Sequence, residues 1–477
     1  MPVGPAQSGR ARLESARLSE TIDPRKPNEK ALLFAGLIRE DPRRELERPL
    51  EELASLADTA EIVVVGETVQ KRDKPDPATF VGKGTVERMK QIMLDLGADC
   101  AIADNDLSPG QVRNLEKVLE KKVVDRTELI LDIFARHART PQAKLQVEVA
   151  QLEYSLPRLR GMWTHLGGVG LRGPGETQLE TDKRLMRKRI VFLKHQLAEI
   201  RERKEREVAT RGAFTVAIVG YTNAGKSTLM NALTGAGVYV ADQLFATLDT
   251  RTRPWKVAPR RMVLLSDTVG FISNLPHRLV ESFHATLEEV LTADLLLHVV
   301  DASLPDPMPQ VEAVRAVLDQ IGATNKVEVT ALNKVDRVAD RALLAFLERR
   351  LPRAVSISAR TGEGLAPLAA LVAELAARHD GLYEVRVSVR EGAAIAALEA
   401  LAEPQVREVE GEEMRLVLRA RQNAVQQACA RARDRSHVRL KELERPAVEV
   451  DAEARVEILP EKPAESSSSS SSRNVSL

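Results

Sequence analysis

The nine residues GYTNAGKST at positions 220–228 carry the clearest chemical signal in the chain. They fit the phosphate-loop pattern, in which glycines let backbone N–H groups turn toward phosphate oxygens. Lys226 can bridge the outer phosphates of a nucleoside triphosphate, and Ser227 can ligate Mg²⁺. The run follows an apolar strand and opens a helix, so it predicts a nucleotide site. The predicted nucleotide-binding residues of this loop are Gly220, Tyr221, Thr222, Asn223, Ala224, Gly225, Lys226, Ser227 and Thr228.

A second motif, SDTVGF, ends another apolar run. Its Asp267 can hold the water shell of the Mg²⁺ ion, and the backbone N–H of Gly270 can contact the γ-phosphate. Thr268 and Val269 lie between these two residues and are assigned to the same nucleotide contact. The motif therefore predicts the part of the site that senses the terminal phosphate.

Phe271 is the last residue of this motif, at a position where a glutamine could orient the attacking water. Phenylalanine has no hydrogen-bonding group, so the sequence predicts slow intrinsic hydrolysis that waits for help from elsewhere. One candidate is K⁺ held at Asn223, which could supply positive charge to the transition state. Asn223 could instead only brace the loop by hydrogen bonding, and Phe271 could also pack as an ordinary core residue.

The motif NKVD ends a further predicted strand and selects the base. The carboxylate of Asp336 can accept hydrogen bonds from N1–H and the exocyclic amine of guanine, while Asn333 contacts the base edge. Adenine lacks this pair of donors, so the motif favours guanine. Ser358 and Ala359, in the run SISAR, would hold the base from the other side. The predicted base-contacting residues are Asn333, Lys334, Val335, Asp336, Ser356, Ile357, Ser358 and Ala359.

The segment FATLDTRTR supplies candidates for a loop that closes over γ-phosphate and Mg²⁺. Its threonines are Thr247, Thr250 and Thr252, of which we favour Thr247, although all three could simply face solvent. The predicted nucleotide contacts of the segment are Phe245, Ala246, Thr247, Leu248 and Asp249. The residues assigned to catalysis are Lys226, Thr247 and Gly270, and those assigned to Mg²⁺ are Ser227, Thr247 and, through a water, Asp267.

Two long helices, predicted at 142–160 and 177–208, flank the glycine-rich run GMWTHLGGVGLRGPGE. The second helix is rich in Lys and Arg, which can neutralise RNA phosphates, although glutamates in the same helix pair part of this charge. Trp163 and His165 at the tip offer stacking surfaces. The tip could instead be a connector with Trp163 packed against the helices. The predicted RNA-binding residues are Arg160, Trp163, His165, Arg172, Arg184, Arg187 and Lys188.

The series of nucleotide motifs resembles the translation-factor-related branch of P-loop GTPases. Together with GGVGLRGPGETQLETDKR at 167–184, it is similar to the HflX family of ribosome-associated GTPases, over roughly residues 30–380. The resemblance implies that Thr247 is the switch ligand of Mg²⁺ and that the large ribosomal subunit and its rRNA are the partners. It also implies a hairpin tip directed toward the ribosomal catalytic centre, and ribosome splitting, rescue or recycling with ribosome-stimulated hydrolysis of GTP to GDP.

The elements that must position these residues alternate between strand and helix, which predicts an α/β protein. We expect a central Ras-like P-loop G domain with a doubly wound, mainly parallel sheet, an N-terminal α/β domain with the helical hairpin, and a small C-terminal α+β domain. The predicted divisions are a disordered lead at 1–28, the N-terminal domain at 29–139, the hairpin at 140–211, the G domain at 213–378, the C-terminal domain at 382–460 and a disordered Ser-rich tail at 461–477.

Composition places few further limits on function. The 477 residues include 70 Lys and Arg against 69 Asp and Glu, so net charge does not identify a partner. Cys100 and Cys429 match no metal-ligand spacing, which favours a reducing, cytoplasmic compartment. The chain shows no signal peptide and no apolar run of membrane-spanning length, so stable membrane insertion is not expected. We expect no DNA partner and, without a long heptad seam, a monomer.

Two other functions compete with this interpretation. The run FVGKGTVERM could hold a second nucleotide such as ATP near Gly82 and Gly84, in a protein that remodels RNA. A tight turn before a helix explains these glycines more simply, because their spacing matches no phosphate-loop pattern. The chain could also be a nucleotide-controlled regulator of a non-ribosomal partner, such as a membrane-associated protease.

Overall fold

The computed structural model describes residues 29–159, 174–211, 213–235, 245, 251–259, 261–272, 289–402 and 404–444. Within them lie three separate sheets, two of them wholly or mainly parallel and one antiparallel. This arrangement confirms the predicted α/β fold class. In the part of the chain so described, no helix is both long enough and apolar enough to cross a membrane.

The N-terminal domain is built on a parallel sheet with strand order β2-β1-β3-β4. The first strand is a continuous apolar run that is buried along nearly its whole length, as expected for a parallel strand covered on both faces. The strands are β1 (Lys30–Leu37), β2 (Val63–Lys71), β3 (Cys100–Ala103) and β4 (Lys122–Asp125). The helices are α1 (Glu51–Thr59), α2 (Lys83–Leu96), α3 (Pro109–Leu119) and α4 (Arg126–His137).

Two long helices follow, α5 (Pro141–Ser155) and α6 (Pro174–Arg211). Thr140 caps the first by accepting a hydrogen bond from the N–H of Ala143, and proline occupies the first turn. The second buries Met186, Ile190 and Leu193 at helical spacing. Ion pairs join the two helices on the outside, from Arg189 to Glu148 at 2.8 Å and from Lys194 to Glu153 at 2.7 Å.

The G domain has a six-stranded sheet in the order β10-β9-β8-β5-β7-β6, in which only β6 runs antiparallel to its neighbour. Its strands are β5 (Phe214–Gly220), β6 (Arg251–Ala258), β7 (Arg261–Asp267), β8 (Leu295–Asp301), β9 (Val327–Asn333) and β10 (Val355–Ser356). Its helices include α7 (Lys226–Thr234), α8 (Met308–Gln320), α9 (Arg341–Arg350) and α10 (Leu365–Arg378). The carboxyl ends of β5, β7 and β9 carry the predicted motifs.

The C-terminal domain is an antiparallel sheet with strand order β12-β13-β11-β14. Buried and half-buried residues alternate along β11, so one face of the sheet packs against helices and the other meets solvent. The strands are β11 (Gly381–Ser388), β12 (Val406–Glu410), β13 (Glu413–Ala420) and β14 (Val438–Glu444). The helices are α11 (Gly392–Leu401) and α12 (Gln422–Cys429).

Candidate nucleotide site

The phosphate loop joins the end of β5 to the start of α7, and glycine is required at two of its positions. Gly220 has φ 150°, and a Cβ added there would lie 2.3 Å from the carbonyl oxygen of Val299. Gly225 has φ 95°, and an added Cβ would lie 2.2 Å from Nδ2 of Asn333. A side chain at either position would clash with a neighbouring strand, so the glycines allow the loop to pack closely against β8 and β9.

Lys226 is buried at the first position of α7. Its Nζ donates a hydrogen bond to the carbonyl oxygen of Tyr221 at 2.6 Å, which closes the loop on itself. Burial lowers the pKa of Lys226 to about 8, and the nearby carboxylate of Asp267 acts in the opposite direction. The lysine is therefore held inside the loop, where an anionic ligand would favour its charged form.

Ser227 and Asp267 form a pair of oxygen donors at the same place. The Ser227 hydroxyl donates a hydrogen bond to Oδ2 of Asp267 at 3.1 Å. Hydroxyl and carboxylate oxygens are the ligand types that Mg²⁺ prefers, and Mg²⁺ commonly takes its remaining ligands from water and phosphate. The donor set of this pair therefore fits Mg²⁺. The neighbouring Thr268 uses its hydroxyl differently, because it donates to the carbonyl oxygen of Ile218 at 2.6 Å and ties β7 to β5.

Phe271 is buried and hydrogen-bonded through its backbone to the phosphate loop. Its N–H donates to the carbonyl oxygen of Gly220 at 3.1 Å, and its own carbonyl oxygen accepts from the N–H of Thr222 at 2.7 Å. A Cβ on Gly270 would lie 3.0 Å from Nζ of Lys226, so this glycine brings its backbone close to the lysine. The phenylalanine is thus a core residue, and its side chain has no atom that could orient a water molecule.

Asn333 links three segments of the site. Its Nδ2 donates to the carbonyl oxygen of Ala224 at 2.8 Å, and its Oδ1 accepts from the N–H of Ala359 at 2.9 Å. The side chain is buried, and its two polar atoms bond to backbone on either side. In this structure Asn333 therefore fixes the phosphate loop relative to the segment after β10.

Asp336 carries the carboxylate that the sequence predicts for guanine recognition. The Ser358 hydroxyl donates to its Oδ1 at 2.6 Å, and the Arg360 guanidinium donates to its Oδ2 at 2.6 Å. The hydrogen bond from Ser358, and then the charge of Arg360, lower the pKa of this carboxyl group. The group is therefore an ionised acceptor at neutral pH. Sequence analysis missed Arg360, although it is the last residue of the SISAR run.

The comparisons with known proteins agree with this geometry. Family models match at residues 47–135 (GTP-binding GTPase N-terminal), 137–211 (GTP-binding GTPase middle region) and 215–334 (50S ribosome-binding GTPase). A GTPase HflX of Magnetococcus marinus is 46% identical over 384 residues, covering 78% of this chain and 88% of the relative. A GTPase HflX of Escherichia coli (strain K12) is 44% identical over 351 residues, covering 72% of this chain and 82% of the relative.

This chain belongs to the HflX family of GTPases. It is a GTP hydrolase, and the match to the 50S ribosome-binding model supports association with the ribosome. Among solved structures, a GTP-binding protein from the archaeon Sulfolobus solfataricus in complex with GDP is 25% identical. That match covers 73% of this chain and 98% of the other, with a TM-score of 0.40.

The other residues predicted for the nucleotide site lie in different surroundings, some exposed, some within the sheet and some in the core. Asn223 is exposed in a left-handed conformation, with φ 59°. Lys334 pairs with Asp301 at 2.7 Å. Thr252 lies within β6, where its hydroxyl is 3.0 Å from that of Ser266, so it belongs to the sheet and not to a closing loop. Phe245 is buried in a core that includes residues of the N-terminal domain. Residues 246–250, which include Thr247, lie outside the described residues.

Of the predicted RNA-binding residues, three lie in the described part of the chain and four do not. Arg184, Arg187 and Lys188 are exposed on α6. The apolar spacing of the second predicted helix includes Leu185 as a core-facing residue, but Leu185 is 56% exposed, so this helix presents an apolar side chain among its basic ones. The residues of the tip, Arg160, Trp163, His165 and Arg172, lie outside the described residues.

Gly82, one of the two glycines considered for a second nucleotide, has a structural role. The N–H of Gly82 donates to Oε1 of Gln70 at 2.7 Å, and the carbonyl oxygen of Gly82 accepts from the N–H of Thr85 at 2.9 Å. Gly82 therefore caps the start of α2, and its N–H is engaged with a side chain of the neighbouring strand. These contacts favour the turn interpretation over an ATP site.

Proposed function

We propose that this HflX-family enzyme hydrolyses GTP with Mg²⁺ held by Ser227 and Thr247, and by Asp267 through a water. The observation that supports this assignment is the pairing of Ser227 with Asp267 at 3.1 Å beside the buried Lys226. When bound, Mg²⁺ would neutralise charge on the β- and γ-phosphate oxygens. Lys226 would bind the outer phosphates, and the N–H of Gly270 would donate to the γ-phosphate while water attacks it.

Asp336 would select guanine by accepting from its N1–H and exocyclic amine. Its carboxyl group is ionised and already oriented by the Ser358 hydroxyl. Binding of the base would displace the exposed guanidinium of Arg360 from Oδ2. Ser358 itself would remain bonded to Oδ1 and keep the carboxylate in place.

Phe271 leaves the position beside Gly270 without a side chain that could orient water, so we propose that turnover needs an external contribution. The ribosome would order the Thr247 segment, and K⁺ at Asn223 would add positive charge near the β- and γ-phosphates. Turnover that is the same in K⁺ and Na⁺ buffers would remove the cation from this proposal. Equal turnover with and without large subunits would remove the ribosome.

We propose that the partner is the large ribosomal subunit, contacted through its rRNA, and that the enzyme acts as a cytoplasmic monomer in ribosome splitting, rescue or recycling. Support comes from Arg184, Arg187 and Lys188, which are exposed together on α6 and can each neutralise an RNA phosphate. The segment that follows α5 carries Trp163 and His165, which could stack on unpaired bases.

Co-sedimentation with purified large and small subunits, in GTP-analogue and GDP states, tests the partner. We expect binding to large subunits that weakens as salt rises, with the tightest binding in the triphosphate state. The triple substitution Arg184→Ala, Arg187→Ala and Lys188→Ala should weaken binding roughly tenfold or more by removing phosphate contacts. Basal GTPase activity should not change.

A matched control is a triple alanine substitution at Arg341, Arg349 and Arg350, three exposed basic residues of α9. This variant loses the same charge from a different face, so it should bind large subunits within about twofold of the parent if contacts and not net charge decide affinity. Equal losses in the two triple variants would argue against a specific α6 contact. Binding that is unchanged in the first variant would also contradict the proposal.

A further inference from the structure

A chain of polar contacts runs from the N-terminal domain into the phosphate loop. The Tyr221 hydroxyl donates a hydrogen bond to Oε1 of Glu52, which lies on α1. The other oxygen, Oε2, accepts from the guanidinium of Arg126 at 2.9 Å. The same guanidinium pairs with Asp104 at 2.6 Å, and Arg43 pairs with Asp104 from the other side.

The part of this chain of contacts that lies farthest from the phosphate loop is buried. The side chains of Arg126 and Asp104 are 3% and 1% exposed, and Glu52, which is 27% exposed, lies between Arg126 and Tyr221. Both terminal nitrogens of Arg126 donate to carboxylates, to Asp104 and to Glu52, so moving either carboxylate away would cost a charge-assisted hydrogen bond. Arg126 follows β4 directly and Asp104 follows β3, so the carboxyl edge of the N-terminal sheet presents Glu52 to the loop.

Tyr221 is well placed to transmit this constraint to the reacting groups. Its carbonyl oxygen is the acceptor for Nζ of Lys226 at 2.6 Å. It also forms a parallel bridge with Phe271, whose backbone bonds to Gly220 and Thr222. A shift of Tyr221 would therefore move both the backbone partner of the lysine and the segment that carries Gly270.

A second contact joins the same two domains close to the predicted switch residue. The rings of Phe134 on α4 and Phe245 meet edge to face, with centroids 4.7 Å apart. Phe245 precedes Thr247 by two residues and shares a buried core with Phe134 and Phe271. The N-terminal domain thus contacts the nucleotide site at two separate segments.

We propose that Glu52 is a positioning residue of the GTPase site. Through the Tyr221 hydroxyl it holds the phosphate loop in its nucleotide-binding geometry, and it does so only while the N-terminal domain is docked on the G domain. A partner that moves the N-terminal domain would therefore change the rates of nucleotide release and turnover. The proposal rests on nucleotide binding at this loop and requires no ribosomal contact.

The test uses the full-length protein and a fluorescent GDP analogue whose dissociation rate is followed by stopped flow. Tyr221→Phe removes only the hydroxyl, and Glu52→Ala removes its acceptor. Each should speed dissociation roughly tenfold, the effect expected from losing one hydrogen bond to a charged group. Because both changes break the same contact, the double variant should be no faster than the faster single variant. Glu52→Gln keeps an acceptor oxygen and should recover part of the slow dissociation.

Glu61→Gln serves as the matched control, because Glu61 pairs with Arg136 in the same domain without contacting the loop. It should leave the dissociation rate within twofold of the parent. Dissociation rates of Tyr221→Phe and Glu52→Ala within twofold of the parent would overturn the proposal. So would effects that multiply in the double variant, since the two residues would then act independently. Tyr221→Phe keeps the proposal testable if the Glu52 variants fail to fold.

Discussion

The N-terminal and C-terminal domains contact the G-domain sheet at opposite ends of its strands, and the side chains that make the two contacts differ in chemical type. The N-terminal domain reaches Tyr221, at the carboxyl end of β5. The C-terminal domain reaches the amino ends of the strands. Its Arg421 donates to the carbonyl oxygen of Ala213 at 2.8 Å and to Asp294 at 2.6 Å, and its neighbour Asp380 pairs with Arg261 at 2.7 Å.

The first junction combines the Glu52–Tyr221 hydrogen bond with a buried aromatic contact, since Phe134, Phe245 and Phe271 belong to one apolar cluster. At the second junction, Arg421 also lies over the ring of Phe214 at 5.2 Å. Ligands of parallel α/β sheets bind outside the carboxyl ends of the strands. Of these two junctions, only the first is therefore placed to respond to the nucleotide. The second can set the orientation of the C-terminal domain without contacting the site.

The largest expected effect comes from removing the aromatic contact of the first junction. Phe134→Ala should lower the free energy of unfolding by about 3–5 kcal/mol, because it leaves a cavity in a shared core. It should also speed nucleotide release by loosening Phe245. Urea denaturation and GDP dissociation measure the two effects. Phe346→Ala, at a phenylalanine that is 51% exposed, is the control and should change stability by about 0.5 kcal/mol or less. A GDP dissociation rate that is unchanged in Phe134→Ala would show that this junction does not influence nucleotide release.

A pH-dependent effect is expected at Glu128 in the N-terminal domain. Burial raises the pKa of Glu128 from 4.5 to about 7. The folded protein holds this proton more tightly than the unfolded chain, so the ionised group lowers stability above pH 7, and this loss disappears as pH falls toward 4.5. The free energy of unfolding of Glu128→Gln, measured relative to that of the parent, should therefore be about 1–3 kcal/mol higher at pH 8 than at pH 5. Thermal unfolding at both pH values measures it, and an equal difference at both would contradict the assignment.

A smaller effect is expected at the second junction. Arg421→Ala should lower the free energy of unfolding by about 1–3 kcal/mol, because it leaves Asp294 without this partner at a half-buried position. The KM for GTP should remain within twofold of the parent, since the contact lies at the edge of the sheet opposite the nucleotide. Steady-state kinetics and denaturation test both statements. A large change in the KM for GTP would show that the second junction also influences the nucleotide site.

The smallest effect is expected at Arg360. Its side chain is 75% exposed and is bonded to the Asp336 oxygen that the proposed guanine contact would use. Arg360→Ala should therefore tighten GTP binding by about twofold, in keeping with the small contribution of exposed ion pairs. Titration with a fluorescent GTP analogue measures the change. Arg349→Ala, which removes an exposed charge from α9, should leave affinity unchanged. Weaker binding of the GTP analogue by Arg360→Ala would show that the guanidinium of Arg360 helps to bind the guanine base.

Sequence reasoning reached the fold class and the nucleotide motifs because each motif is local. Gly220, Asp267 and Asn333 each end an apolar strand, and the carboxyl ends of parallel strands meet at one edge. It did not foresee that the amide of Asn333 would join two backbone segments. Nor did helical spacing alone predict the exposure of Leu185, because which face of α6 is covered depends on the helix beside it.

The sequence by itself predicted a guanine nucleotide hydrolase, because the phosphate loop, SDTVGF and NKVD each place particular residues at short spacing, and its glycine-rich run at 167–184 resembles the HflX family. Only the tertiary structure decided what surrounds that site. Tyr221 and Glu52 are 169 residues apart and belong to different domains, so no local pattern relates them. Their contact exists because the N-terminal domain packs on the G domain at the carboxyl ends of its strands, so residues distant in sequence become neighbours only in the folded chain.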